Sequence, residues 1–408
     1  VQRKIMHLQK FSFALLLLLG MAFIGPPKTL AEPGTKLNAR RDLSIQESFI
    51  WVVGDAAERK FVTSDRLYLG TQKNSSASIR IGDLDGDTNP DIVVANGRHW
   101  PQQNFLFFNQ GRAQFKLVRP LGQDLVASYA TELADLDNDG DLDIAVGNDT
   151  APNAIFLNDG HGRFQYHTSF GDPSSIRSLK LVDINQDGNI DILANARGKQ
   201  NLIYFNNGAA KFPTSRTFGN AVDSTIDVAV ADLNQDGHLD LILANRDNQP
   251  NVVLINDGRT HFNQRLPFGS GRDETRAVEV ADLNGDGKLD WVTGNIGQPN
   301  TIYLGDGKGG VSKTLNFGRE DGRTYALAIA DMDQNGLPDI IVGNVGQPNA
   351  VFLNQGDDQD LLEVRFGDPA NATYNLAIGD LNQDGYPEIA VANSNSHNLI
   401  YLNLPVTR

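Results

Sequence analysis

Asp282-Leu283-Asn284-Gly285-Asp286-Gly287-Lys288-Leu289-Asp290 decides how the rest of the chain is read. Oxygen-bearing side chains stand at its first, third, fifth and ninth positions, with a glycine at the sixth. Carboxylate and amide oxygens at this spacing make a cage for a hard cation, and Ca²⁺ takes roughly six to eight such ligands. Gly287 lets the backbone reverse so that the following carbonyl turns inward. The same nonamer starts at Asp83, Asp135, Asp183, Asp232, Asp331 and Asp380, so the seven copies lie 52, 48, 49, 50, 49 and 49 residues apart. A fixed period of this length means one supersecondary unit repeated along the chain.

Comparing the copies separates ligand positions from the rest. The first position is always Asp. The third is Asp85, Asp137, Asn185, Asn234, Asn284, Asp333 or Asn382, so amide or carboxylate oxygen serves equally. The fifth is Asp87, Asp139, Asp187, Asp236, Asp286, Asn335 or Asp384, and the ninth Asp91, Asp143, Asp191, Asp240, Asp290, Asp339 or Glu388. The seventh runs from Asn89 through His238, Lys288 and Leu337 to Tyr386, an indifference that fits a backbone-carbonyl ligand. The second is apolar throughout and reads as a plug into the fold. An EF-hand begins the same way but needs a bidentate Glu at its twelfth position. Here that position is Val94, Val146, Ala194, Leu243, Thr293, Val342 or Val391, which excludes it. Thr88 replaces the sixth-position glycine in the first copy, so that loop departs furthest from the pattern.

Around each nonamer the grammar is that of short strands. In the fifth repeat Thr275 to Ala281 alternates, Asp290 to Gly294 is a second, more continuously apolar strand, Thr301 to Leu304 is a third, and Val311 to Phe317 a fourth. Gly and Pro mark the turns, as in Asn295 to Asn300. No helical period occurs. Seven such units arranged radially make an all-β, seven-bladed β-propeller of four-stranded antiparallel blades. The last repeat stops after its third strand, Leu399 to Leu402, and Arg66 to Leu69 stands alone before the first nonamer. Their pairing is expected to complete the seventh blade and remove two open edges.

The chain of 408 residues has a net charge of −15, and −19 without its first thirty-one residues, which carry Arg3, Lys4, Lys10 and Lys28 and no acid. Much of the acid sits in the nonamers, so it reads as metal-binding charge. It also excludes nucleic acid as a partner, which requires a basic footprint. The absence of cysteine excludes disulfides, thiolate zinc sites and a lipoprotein anchor. Residues 1–31 have the layout of a secretory signal peptide: Lys10, the apolar run Phe11 to Ile24, then Thr29-Leu30-Ala31. The alternative is an uncleaved anchor, for which the run is short. The protein is therefore expected to be secreted, periplasmic or extracellular, with no membrane span once the signal is removed. Residues 32–60 read as a linker in which 46–56 form either an outer strand or a short helix, and 61–408 as the propeller.

The seven nonamers, the Phe-Gly pairs at 170–171, 218–219, 268–269, 317–318 and 366–367, and the Asn-x-Ile/Val-Tyr/Phe-Leu-Asn run such as Asn349 to Asn354 resemble the FG-GAP/VCBS repeat family, similar to the propeller of integrin α-chains. The resemblance covers about residues 61–408. It implies a Ca²⁺-stabilised propeller with up to seven sites in the hairpins between first and second strands. It also implies extracellular recognition or adhesion in many members, and lectin or polysaccharide lyase activity in a minority.

The face opposite the metal hairpins carries the variable loops, where recognition usually resides. Six residues before each first-position Asp stand Ala77, Tyr129, Arg177, Ile226, Arg276, Tyr325 and Tyr374, which are expected to ring the channel mouth. Tyr129, Arg177, Arg276, Tyr325 and Tyr374 suit stacking on sugar rings and pairing with carboxylates or sulfates. The alternative is packing between blades. Arg98-His99-Trp100 in the long turn of the first repeat is the other departure from the pattern. No nucleophile triad, phosphate loop or His-pair metal motif occurs. The leading reading is a secreted, non-catalytic Ca²⁺-binding module for a glycan or protein, and the alternative is a carbohydrate-active enzyme such as a lyase using Tyr325, Arg276 and His99.

Overall fold

Each nonamer is a hairpin loop between an inner strand and a second strand buried along its whole length. In the computed structural model, residues 51–52, 58–356 and 361–406 are described. The segment read as a signal peptide, and residues 32–50 of the linker, lie outside them. The fifth blade shows the pattern. Thr275–Ala281 pairs with Asp290–Asn295, that strand with Asn300–Gly305, and the third with Val311–Phe317, all antiparallel. Seven such sheets follow one another. Their inner strands lie side by side in a ring that closes between Thr373–Gly379 and Ser76–Gly82. Among the described residues the one helical piece is a 3-10 turn, Asp65–Leu67, and no helix is long and apolar enough to cross a membrane.

The second strand explains the continuous apolar runs of the sequence. It is sandwiched between two neighbouring blades, so both its faces are buried in every repeat. The core consists of seams between blades. One seam joins Leu84, Val93, Leu106 and Phe108 of the first blade to Ile144, Val146 and Phe156 of the second.

Closure pairs the two chain ends, as the lone strand requires, but more extensively than expected. Tyr68–Leu69 lies against Leu399 and Asn398. Arg66 and Leu67, expected in that strand, belong instead to the 3-10 turn. Beyond the turn Arg59–Val62 resumes pairing with the same strand, from Pro405 to Leu402. The Asp65–Leu67 turn interrupts the strand and lets one outer position be filled in two pieces. Trp51–Val52, in the stretch left open between strand and helix, is a short strand outside Leu361–Phe366.

A polar relay crosses the blade seams on the side away from the nonamers. Asn201 at the start of a third strand donates from Nδ2 to Thr225 Oγ1 of the next blade (3.0 Å), and Thr225 donates to Asn245 Oδ1 (2.9 Å). Asn104, Ser128 and Asn148 repeat it, as do Asn251, Thr275 and Asn295, and Asn349, Thr373 and Asn393. Asn398, Ser76 and Asn96 carry it across the closure. At the third inner strand Ile176 and Ala196 replace the hydroxyl and the amide of the relay, and Asn153 Nδ2 donates instead to Phe170 O (3.2 Å). Thr225→Val would strand an amide donor and an amide acceptor in a fully buried seam. It is expected to cost about 1–3 kcal/mol, read as a lowered midpoint in urea unfolding.

Candidate functional site

The loops owe their shape to two side chains at their ends. The first-position Asp caps the turn: Gly287 N–H and Gly285 N–H donate to Asp282 Oδ2 and Oδ1 (2.9 and 2.8 Å). The ninth-position carboxylate is fully buried in all seven loops. Asp290 Oδ2 accepts from Leu283 N–H (3.0 Å) and Oδ1 from Gly305 N–H at the end of the third strand (2.8 Å). Asp91, Asp143, Asp240 and Asp339 do the same. Asp191 accepts from Asn206 N–H, and Glu388 from Leu381 and Asn382 N–H. The spacing marked these residues as candidate ligands and gave no sign that they staple strands.

The fourth and sixth positions take left-handed backbone in every loop. Thr88 does so at φ 70° in the first, an unfavourable conformation for a β-branched residue. Gln at the fourth position has a use that the sequence reading missed. Gln186 and Gln235 donate to the sixth-position carbonyls of the next loops, Gly237 and Gly287, at 2.7 and 2.9 Å. Gln334 and Gln383 likewise reach Gly385 and Thr88. The signal was the recurrence of Gln at a left-handed position, where no intraloop role calls for it.

Three loops bring carboxylate oxygens of the first, third and ninth residues within 4.8 Å of one another: Asp83, Asp85 and Asp91; Asp135, Asp137 and Asp143; Asp331, Asp333 and Asp339. In the other four the third donor is an amide, Asn185, Asn234, Asn284 or Asn382, beside Asp183, Asp232, Asp282 or Asp380. The fifth-position side chains fold back on their own turns. Asp87, Asp139, Asp187, Asp236, Asp286, Asn335 and Asp384 each accept from the N–H two residues on. Lys288 Nζ also lies 3.0 Å from Asp286 Oδ2.

The donor set fits a cation. Asp85 Oδ1 and Asp137 Oδ1 are buried with no hydrogen-bond partner among the described residues. Burial and then the neighbouring Asp87 and Asp139 raise the carboxyl pKa of each. Burial pushes Asp91, Asp339 and Glu388 up to about 7, and Asp143, Asp191 and Asp240 to about 6, against the opposing pull of their backbone N–H bonds. These groups bind protons more tightly folded than unfolded, where carboxyls titrate near about 4. Calcium-depleted protein should therefore be more stable at about pH 5 than at about pH 8, since stability falls as pH rises through the folded values. Melting temperatures of depleted protein at the two pH values test this, and a higher melting temperature at the alkaline value would contradict it.

At the opposite end of the inner strands the seven expected mouth residues line one channel of about 310 Å³. Tyr129 and Ile226 are buried, while Ala77, Arg177, Arg276, Tyr325 and Tyr374 are partly exposed. The Arg276 guanidinium lies over the Tyr325 ring (5.4 Å), Tyr325 meets Tyr374 edge to face (5.0 Å), and Arg98 covers Tyr374 (3.9 Å). His99 Nδ1 is 2.9 Å from the Tyr129 hydroxyl, and Arg177 covers the Tyr129 ring (4.2 Å) while pairing with Asp149 (3.5 Å). The Arg98-His99 loop is thus part of the mouth, which nothing in its sequence position disclosed. Burial and then Arg98 lower the His99 pKa. His99 pairs with Tyr129, and Arg276 with Tyr325. Trp100 stands 75% exposed beside this loop. Below the mouth, Arg80 pairs with Glu132 (2.8 Å), and Lys180 reaches Glu279 two blades away (3.7 Å).

The FG-GAP-like repeat model matches residues 83–146, 135–194, 183–243, 232–293, 282–342 and 331–391, each match running from one nonamer through the next. The chain belongs to the FG-GAP-like repeat family. Among solved structures, one described as BBS1N in complex with ARL6DN, soaked with mercury, is similar to this FG-GAP-like propeller with a TM-score of 0.60 and 15% identity, over 85% of this chain and 98% of that one. The same complex soaked with lead gives 0.55 and 16%, over 84% and 97%. At such identity the likeness is one of fold. No curated protein matches this FG-GAP-like chain in sequence.

Proposed function

We propose that this chain is an exported Ca²⁺-binding propeller acting as a non-catalytic recognition module for an extracellular glycan or protein. The observation that carries the metal reading is the unpartnered, buried oxygen of Asp85 and of Asp137 inside loops that already gather three carboxylates. Oxygen donors alone, with no histidine or cysteine among them, suit Ca²⁺. The ion would be held by the first-, third-, fifth- and ninth-position side chains and would supply positive charge that relieves their mutual repulsion. Export rests on the signal-like residues 1–31. Recognition rests on the channel mouth and the variable loops around it, carried by a rigid ring. A propeller of similar fold has been crystallised with a protein partner, which favours a binding role over a catalytic one.

Several sites acting together make the metal reading measurable. At free Ca²⁺ about tenfold above Kd, each site adds roughly 1.4 kcal/mol. Chelation at neutral pH is therefore expected to lower the melting temperature by many degrees. Asp85→Ala and Asp137→Ala should each remove one ion from the stoichiometry measured by equilibrium dialysis. A melting curve unchanged by chelator would overturn the metal reading. A product retained inside the cell with residues 1–31 attached would overturn export.

A further inference from the structure

Among the cations of the channel mouth, Arg276 differs from its neighbours. Arg177 is paired with Asp149 and stacked on Tyr129. Arg98 is held by Tyr374, His99 and Ser394, although its Nε is also buried without a partner. Arg276 has no hydrogen bond or ion pair among the described residues, and its Nε is buried without a partner. Burial and then Arg246 lower its pKa to about 10, so it remains charged at neutral pH. Arg246 is itself paired with Glu274. Asp227, an acid on the same channel wall, accepts the Val228 and Val278 N–H groups and makes no ion pair with Arg276. A partly buried guanidinium with no counter-charge is costly unless something outside the chain supplies one.

We propose that Arg276 is the receptor for the carboxylate of an acidic sugar, with Tyr325 and Tyr374 as the walls against which the sugar ring packs. The inference rests on the recognition reading above and names its ligand class. A guanidinium presents a planar fork that matches a carboxylate in two parallel bonds. The hydroxyls of Tyr325 and Tyr374 have no hydrogen-bond partner among the described residues, and both rings are partly exposed in the same channel. A pyranose offers an apolar C–H face to such rings and hydroxyls to such phenols. An acidic peptide side chain offers the charge but no comparable flat face. Trp100, exposed beside the mouth, extends the aromatic rim toward a neighbouring sugar unit. The carboxylate stops at the mouth, because the channel below carries Glu132, Asp227 and Glu279 against Arg80 and Lys180.

Isothermal titration of the full chain in saturating calcium with trigalacturonate tests this, with maltotriose as the neutral sugar and triglutamate as the acidic peptide. Trigalacturonate is expected to bind, and maltotriose and triglutamate to bind far more weakly. Arg276→Gln should weaken binding by about tenfold or more, as for loss of a charge-assisted bond. Arg276→Lys should weaken it less, because it keeps the charge without the fork. Arg272→Gln, an exposed arginine near the end of the strand Gln264–Asp273, should leave it unchanged. Arg276→Gln should retain the wild-type melting temperature, which separates loss of binding from loss of fold. Absence of trigalacturonate binding, equal binding by maltotriose, or equal binding by Arg276→Gln overturns the proposal. Tighter binding of triglutamate assigns the site to a peptide and overturns the sugar. Loss of trigalacturonate binding with calcium stabilisation intact defeats this inference alone, whereas chelator-insensitive melting defeats the calcium reading instead.

Discussion

One buried carboxylate per blade, at the ninth position of each loop, holds the architecture at its most demanding point. It has no exposure to water, yet it begins the strand that both neighbouring blades cover. Its charge is tolerable there because backbone N–H groups from the loop and, in most blades, from the end of the third strand converge on it. That convergence sets the angle at which the loop leaves the blade, and so places the first and third oxygens near the ninth. The loop is therefore shaped by the fold that it joins. Asn109, Asn158, Asn206, Asn354 and Asn403 extend the same logic between blades. Each donates to the carbonyl of the second loop residue one blade back or, for Asn109, across the closure.

Two polar systems thus encircle the molecule. On the side of the nonamer loops, Asn and Gln side chains stitch loop to loop. On the other, Asn and Ser or Thr pass hydrogen bonds across the seams. Between them lies apolar packing from blade to blade. Where a polar system lacks members, as at Ile176 and Ala196, the consequence is local: Asn153 donates to Phe170 O of its own blade. The relay is complete at five seams, so its lapse at Ile176 is tolerated.

Much of this was legible in the sequence. The nonamer, its spacing and the alternation around it led to the propeller and to the loop residues, and the strand lacking a partner led to the closure. The mouth residues were placed correctly in one channel, because a position counted from the loop fixes a side chain's height on the inner strand. What escaped reading depended on partners distant in sequence. Nothing in Arg98-His99-Trp100 says that His99 meets Tyr129 or that Arg98 covers Tyr374, since both contacts depend on how the first blade adjoins its neighbours. The 3-10 turn at Asp65–Leu67 was missed because Arg66 to Leu69 reads as one strand by composition. The stapling by the ninth-position acids was hidden because a ligand and a staple require the same residue type.

The central claim is that the seven loops are cation sites and not merely hydrogen-bonded turns. Crystals grown in calcium and measured for anomalous scattering test it most directly. Peaks enclosed by the first-, third- and ninth-position oxygens are expected, with the loops containing Asp85 and Asp137 occupied, at distances of about 2.3–2.6 Å from their ligands. Loops that contain no anomalous peak in saturating calcium, with Asp85 and Asp137 turned out to solvent, would contradict the account.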